Sequence, residues 1–233
     1  MRIKKIKTNL TEVRSIIHCA DIHIRNWKRH KEYRHIFKRF EEDIEKIVTD
    51  KTIITVGGDI AHAKTDMSPE LVQMMQEFFT MLTSLAPTII IAGNHDANLN
   101  NADRLDAISP VVRGLNDPNL HYLKDTGLYQ VGDCIFSVFS VFDTPDKYIK
   151  ATDIQGTYYK KIAMYHGTVG NSETDTGMRL SSGLDIKAFD GYDIGLLGDI
   201  HKRQVLSKGG CEEIEIDEEE LEDYTKKGWI KVD

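Results

Sequence analysis

The hydrophobic positions fall into two textures along the chain. In the first half, short apolar runs alternate with longer segments of helical period. Residues 13–20 are rich in Val and Ile and predict a strand. From His30 to Asp50, Tyr33, Ile36, Phe37, Phe40, Ile44, Ile47 and Val48 recur at helical spacing with charges between them, which predicts an amphipathic helix. Thr52 to Val56 predicts a buried strand closed by Gly57-Gly58. Ser68-Pro69-Glu70 supplies a serine cap and a first-turn proline for a helix running to about Leu85. Thr88 to Ala92 predicts a third strand. This order implies parallel strands joined by crossover helices.

After Pro118 the helical period disappears. Residues 121–123, 128–131, 134–141, 160–165, 192–197 and 204–206 all predict strands, hence a second, partly antiparallel sheet packed on the first. Residues 1–207 are expected to form one domain and 208–233 an acidic tail, with a short strand and a helix over Glu218–Lys227, or a loose appendage. The apolar face of the 68–85 helix (Leu71, Met74, Met75, Phe78, Phe79, Leu82) and the apolar residues Leu99, Leu105 and Ile108 suit either the core or a second subunit of a homodimer.

Charge sharpens this division. The 233 residues carry a net −7, but ten acids against four lysines between Lys208 and Asp233 account for −6 of it. The preceding body is nearly neutral, so a polyanionic substrate is compatible with it. The longest apolar stretch, Ala86 to Gly93, is far short of the roughly 18 residues of a membrane span, so no membrane association is expected. The basic N-terminus lacks the apolar segment of a secretory signal. Three cysteines, widely separated and without a CxxC pair, favour a reducing, cytoplasmic setting.

The candidate chemistry sits where the strands end. Asp21 and His23 follow the first strand in HCADIH, and Asp59 and His62 the second in GGDIAH. Asn94, His95 and Asp96 follow the third in AGNHDAN. His166 follows a later strand in AMYHG, and Asp199 and His201 another in LLGDIH. Ligands gather outside the carboxyl ends of strands in α/β sheets. Five of nine histidines occupy such positions, whereas His18, His30, His35 and His121 are read as structural. A mixture of carboxylate, amide oxygen and imidazole suits manganese, iron or zinc. Asp21, His23, Asp59, Asn94, His166, Asp199 and His201 are too many for one ion. They suit two, roughly 3.5–4 Å apart and bridged by a carboxylate, activating water for in-line attack on phosphorus. His62 and His95 are left as outer-sphere acid or phosphate contacts. Arg25, Lys28 and Arg29 open a basic run, interleaved with Trp27 and Tyr33, that borders this place and suits contacts to a nucleic-acid backbone.

These motifs, in this order, resemble the calcineurin-like metallophosphoesterases. GGDIAH and the strand-rich segment before YHG resemble the nuclease subunit of the SbcCD type. The resemblance covers about residues 13–206. It implies a four-layer α/β/β/α sandwich, here C-terminally shortened, and two manganese ions. It places Asp21, His23 and His201 on the first ion, Asp59 as the bridge, and Asn94, His166 and Asp199 on the second. His95 would protonate the leaving oxygen or stabilise the scissile phosphate, and His62 would support the transition state or position the substrate. It further implies DNA as substrate, exonuclease and endonuclease action, and an SbcC-type ATPase as partner. Two other readings stand beside it: another phosphatase or cyclic-nucleotide phosphodiesterase of the superfamily, and a catalytically weak scaffold docking an ATPase or DNA.

Two departures from the family pattern bear on this. Gly-Asp-Ile-His stands where Gly-His-x-His is common. Asp199 can ligate a hard ion, but its negative charge strengthens cation binding while weakening the field on a phosphodiester. The family also continues past this motif with further strands, a DNA-capping domain and an ATPase-binding segment, where this chain enters the acidic tail. A truncation, a split gene, an interrupted frame and a minimal form would all account for that.

Overall fold

The computed structural model describes residues 2–63, 66–101, 104–174, 176–202 and 204–206, with 213–214 and 231–232. Two sheets stack face to face. The first is parallel and consists of β2 (Ser15–Cys19), β3 (Thr52–Val56), β4 (Thr88–Ile90) and β5 (Leu120–Tyr122) in that order. The second has the order β1 (Ile3–Lys5), β6 (Gly127–Val131), β7 (Cys134–Phe139), β8 (Lys161–His166) and β9 (Ile194–Gly198). Its β6–β7 pair is antiparallel and the others are parallel.

Side-chain alternation decides what each face meets. Ile16, Ile53 and Ile89 point between the sheets and join Val131, Phe136, Val138, Ile162, Met164 and Leu196 of the second sheet. Ile17, Cys19, Ile54, Val56 and Ile90 point the other way, onto α1 (His30–Glu45), α2 (Pro69–Leu85) and α3 (Ile108–Leu115). Both faces are buried, which is why these strands read as unbroken apolar runs. The far side of the second sheet is covered by 3-10 turns at Pro145–Lys147, Ala151–Asp153 and Ile186–Phe189. Ile149, Ile154, Tyr158 and Tyr192 pack there on Leu128 and Ile135. The outer fourth layer is thus built from turns rather than α-helices among the described residues.

Several local expectations change. Residues 120–122 join the first sheet as β5, not the second, because α3 carries the chain back over the first sheet before β5 begins. That helix was hidden by Pro110 and Gly114. Its N-terminus is fixed by Asp106, whose Oδ1 accepts from the N–H groups of Ile108 and Ser109 at 3.1 and 2.6 Å. Helix α1 stops at Glu45 rather than Asp50. Ile47 and Val48 form a closing turn on the Ile44 carbonyl, and Thr49 and Thr52 bond to each other to lead into β3. Residues 204–206 are not a strand, since the Gln204 side chain holds the Glu173 backbone instead. The apolar face of α2 and Ile108 are buried in the chain's own core, whereas Leu99 and Leu105 are exposed. The helix expected at Glu218–Lys227 lies outside the described residues. From the tail, Glu213–Ile214 (β10) and Lys231–Val232 (β11) pair antiparallel. No described helix is long and apolar enough to cross a membrane.

Candidate metal centre

Because β2, β3, β4, β8 and β9 run in matching directions within their sheets, their carboxyl ends deliver Asp21, Asp59, Asn94, His166 and Asp199 to one end of the molecule. The loops then lock together beyond the sheet. Gly57 N–H donates to the Cys19 carbonyl at 2.7 Å, Asp21 N–H to Gly58 at 3.1 Å and His23 N–H to Asp59 at 2.9 Å. Among the described residues seven non-glycine positions have left-handed backbone, and four of them (Asp21, His23, Asp59, Asp199) are candidate ligands. Such conformations cost of order 1–3 kcal/mol each and persist where the surroundings over-determine them. The glycines make the loops' close approach possible. A Cβ at Gly58, itself at φ +93°, would stand 2.6 Å from Gly93 N, and one at Gly93 would strike the Asp59 carboxylate.

Among the described residues three groups of donor atoms each lie within 4.8 Å of one another: Asp21, His23 and His201; Asp21, Asp59 and His166; and His23, Asp59 and His95. Asp59, 2% exposed, faces both halves. Its Oδ1 is 3.3 Å from His166 Nε2, while its Oδ2 is 3.7 Å from His23 Nε2 and 4.0 Å from His95 Nε2. His23 Nε2 and His201 Nε2 face each other at 3.2 Å. Asn94 Oδ1 lies 3.0 Å from His166 Nε2. Asp199 stands at the rim of this set. Its Oδ1 is 4.0 Å from His166 Nε2, its Oδ2 accepts from the Thr168 hydroxyl at 2.9 Å, and its N–H donates to the Asp21 carboxylate at 3.0 Å.

The two remaining histidines flank the ligands. His95 Nδ1 donates to the His62 carbonyl at 2.8 Å, which turns Nε2 toward Asp59; the ring is 42% exposed. The His62 ring is exposed, 6.0 Å from the His95 ring and 5.8 Å from that of His23. Burial, then the charge of Arg25, then His95 lower its pKa, so Arg25 stands close enough to act on this ring.

The residues present suit divalent cations, and the electrostatics supply the test. Asp21 and Asp59 are buried carboxylates whose charges oppose one another, and burying charge without compensation is costly. Burial raises the Asp21 pKa despite His166. At Asp59 burial works in the same direction, but the bond and charge of His166, with the His95 N–H, hold its pKa below the ordinary value. Burial would lower the His166 pKa, but the bond and charge of Asp59 and the charge of Asp21 raise it to about 9. His166 Nδ1 donates to the Gly57 carbonyl at 2.7 Å. A proton on Nε2 is therefore shared among His166, Asn94 Oδ1 and Asp59 Oδ1, all hard or imidazole donors converging on the place a cation would take.

Two residues outside the ligand set position it: His18, which the sequence reads as structural without saying what it holds, and Asp96, which the sequence places only beside the ligands. The Asp96 carboxylate is fully buried and accepts from the N–H groups of Ile60 at 3.0 Å, Ala61 at 2.8 Å and Gly93 at 3.0 Å. It splices the Asp59 loop to the Asn94–His95 loop, and burial pushes its pKa up to about 6 against the pull of those donors. His18 is buried between the sheets, with Nδ1 2.9 Å from the Thr55 hydroxyl and Nε2 3.0 Å from the Leu197 carbonyl of β9. It pins the two halves of the site in register, and burial lowers its pKa.

The proposed backbone contacts divide. Arg25, Lys28 and Arg29 are exposed, but Arg29 is engaged with Glu32 at 2.6 Å. Further along the run, Arg34 pairs with Glu77 and Lys38 with Glu42. Tyr33 turns inward, and its hydroxyl donates to the His23 carbonyl at 2.6 Å.

The family model described as calcineurin-like phosphoesterase matches residues 14–201, the span from just before β2 through His201. An uncharacterized protein of Acanthamoeba polyphaga mimivirus is 43% identical over 207 residues, covering 85% of this chain. The chain spans 15% of that relative's length.

Proposed function

The chain belongs to the calcineurin-like phosphoesterase family, and from that premise we propose that it hydrolyses phosphodiester bonds in DNA with two divalent cations. Asp21, His23 and His201 would hold one cation, Asn94 and His166 the other with Asp199 at its edge, and Asp59 would bridge them. When bound, such ions polarise the phosphoryl group and lower the pKa of water at the site. The observation that carries the reading is Asp59, buried and aimed with separate oxygens at the His166 and His23 halves.

The chain's own residues supply the remaining steps. The Gly57 carbonyl keeps the His166 Nδ1 proton in place, so Nε2 always faces inward. The His62 carbonyl does the same for His95. Protonated at Nε2, His95 donates to the departing sugar oxygen as its bond to phosphorus breaks, and water supplies the oxygen of the new P–O bond. The exposed His62 ring orients the phosphate beside it. DNA as substrate is supported by the SbcD-type resemblance of GGDIAH and by exposed Arg25 and Lys28 following His23 in the chain.

The test is manganese-dependent hydrolysis of bis(4-nitrophenyl) phosphate and of end-labelled single and double strands. His95→Ala is expected to lower kcat about 10²–10⁴-fold on the DNA substrates while bound metal is retained. Turnover of phosphomonoesters alone would reassign the substrate class. Failure to bind metal or turn over any ester would favour a scaffold.

A further inference from the structure

The loop that leaves the site after His23 is held rigidly, yet it puts a large aromatic side chain into solvent. Ser68 N–H donates to Asn26 Oδ1 at 2.8 Å, and the Ser68 hydroxyl donates to the Asn26 carbonyl at 2.8 Å, tying the loop to the start of α2. His30 Nε2 donates to the Arg25 carbonyl at 2.7 Å, and the Tyr33 hydroxyl to the His23 carbonyl. These bonds fix residues 23, 25 and 26. Trp27, the next residue, is 67% exposed, the largest exposure among the bulky apolar side chains of the described residues.

A well-anchored loop has the means to fold such a ring inward, because burying a large apolar side chain gains about 1.5–3 kcal/mol. Here it stays outside, with a cation against it. Lys28 Nζ lies over the indole at 5.1 Å, and Arg25, exposed and two residues before Trp27, has its backbone held by His30. Among the described residues Arg25 and Lys28 form no ion pair, so both charges are available to an anionic ligand. A flat aromatic face with cations beside it is the arrangement that takes unpaired nucleobases, the ring stacking while the cations meet phosphates.

We propose that Trp27 is a stacking platform for an unpaired base of a nucleic-acid strand whose backbone is led by Arg25 into the cluster around Asp59. The inference rests on the phosphodiesterase reading and narrows it to single-stranded or frayed substrate. Within a duplex the base faces are stacked on their neighbours, so binding there runs through the backbone.

The experiment uses the full chain in a Trp229→Phe background, so that Trp27 is the only tryptophan. Indole fluorescence is followed during titration with a short single-stranded thymidine oligonucleotide, with metal chelated to prevent cleavage. A duplex and an abasic strand of equal length are titrated beside it. Quenching is expected with the thymidine strand and not with the abasic strand. Trp27→Ala, followed by anisotropy of labelled strands, is expected to weaken thymidine-strand binding at least about fivefold, with an unchanged salt slope and no change for the abasic strand. Trp27→Phe is expected to restore most of the affinity. Equal affinity of Trp27→Ala and wild type for the thymidine strand, or equal quenching by the abasic strand, overturns the proposal. Hydrolysis of bis(4-nitrophenyl) phosphate by the unsubstituted chain reads the parent reading separately. Its absence with quenching intact sinks the phosphodiesterase, and its presence without quenching sinks the platform alone.

Discussion

Gly198→Ala tests the tightness of the metal centre more directly than removal of a ligand. Gly198 ends β9, immediately before Asp199, and a Cβ built there would stand 2.5 Å from the Gly57 carbonyl oxygen and 2.7 Å from His166 Nδ1. Those two atoms are the acceptor and donor of the bond that fixes the His166 ring. The methyl would sit roughly 0.7–0.9 Å inside van der Waals separation from both. Gly57 cannot yield, because its N–H is bonded to Cys19 and its own Cβ position is closed by His18. The His166 ring must therefore move by most of that distance. Overpacking of this kind costs about 1–3 kcal/mol of stability. A misplacement near 1 Å at reacting groups costs about 10²-fold in rate. Urea denaturation with chelator should accordingly show a midpoint lowered by that energy. Manganese-dependent phosphodiester hydrolysis should fall by about two orders of magnitude. Gly114→Ala is the control, since its Cβ would meet only Gln76 Nε2 at 3.9 Å and it lies in α3, where alanine gains about 1 kcal/mol over glycine. Should Gly198→Ala retain both stability and turnover close to those of Gly114→Ala, the reasoning about His166 is wrong.

Two more outcomes follow from the same geometry. The raised His166 pKa means the metal-free fold binds a proton that the unfolded chain gives up more readily, so this contribution to stability is complete below pH about 6.5 and is lost as pH rises through about 9. Urea midpoints in chelator should thus fall between pH 6.5 and 9.5, and saturating manganese should flatten the profile; a midpoint rising across that window contradicts the assignment. Asp96→Ala leaves three buried backbone N–H groups without their acceptor and is expected to cost roughly 3 kcal/mol or more, read by thermal and urea unfolding. Turnover should fall with it, because the Asp59 and His95 loops lose their splice, and an unperturbed variant would remove Asp96 from the site's support.

The strands and helices that carry the ligands were readable because their signals are local. Thr52–Val56 is an unbroken apolar run, Ser68-Pro69 caps and starts α2 at once, and the Asp and His residues sit just past strand ends marked by glycine. The strand predicted at 121–123 lies in the other sheet, as β5, because pairing partners are chosen by distant chain, and nothing within the segment says whether β4 or β6 will lie beside it. Helix α3 is not legible in the sequence because Pro110 argues against a helix unless it is known to fall in the first turn, as the Asp106 cap decides.

By itself, then, the sequence determined which residue types follow which strands, and so the chemistry that the strand ends could offer. Only the tertiary structure decided that Asp59 looks both ways, that Asp199 spends one oxygen on Thr168, that His18 and Asp96 hold the frame, and that Trp27 stays outside while Tyr33 turns in. The physical reason is that residue spacing fixes direction along one element. The distance between elements is set by how the two sheets and their loops pack, and a cation responds to that distance.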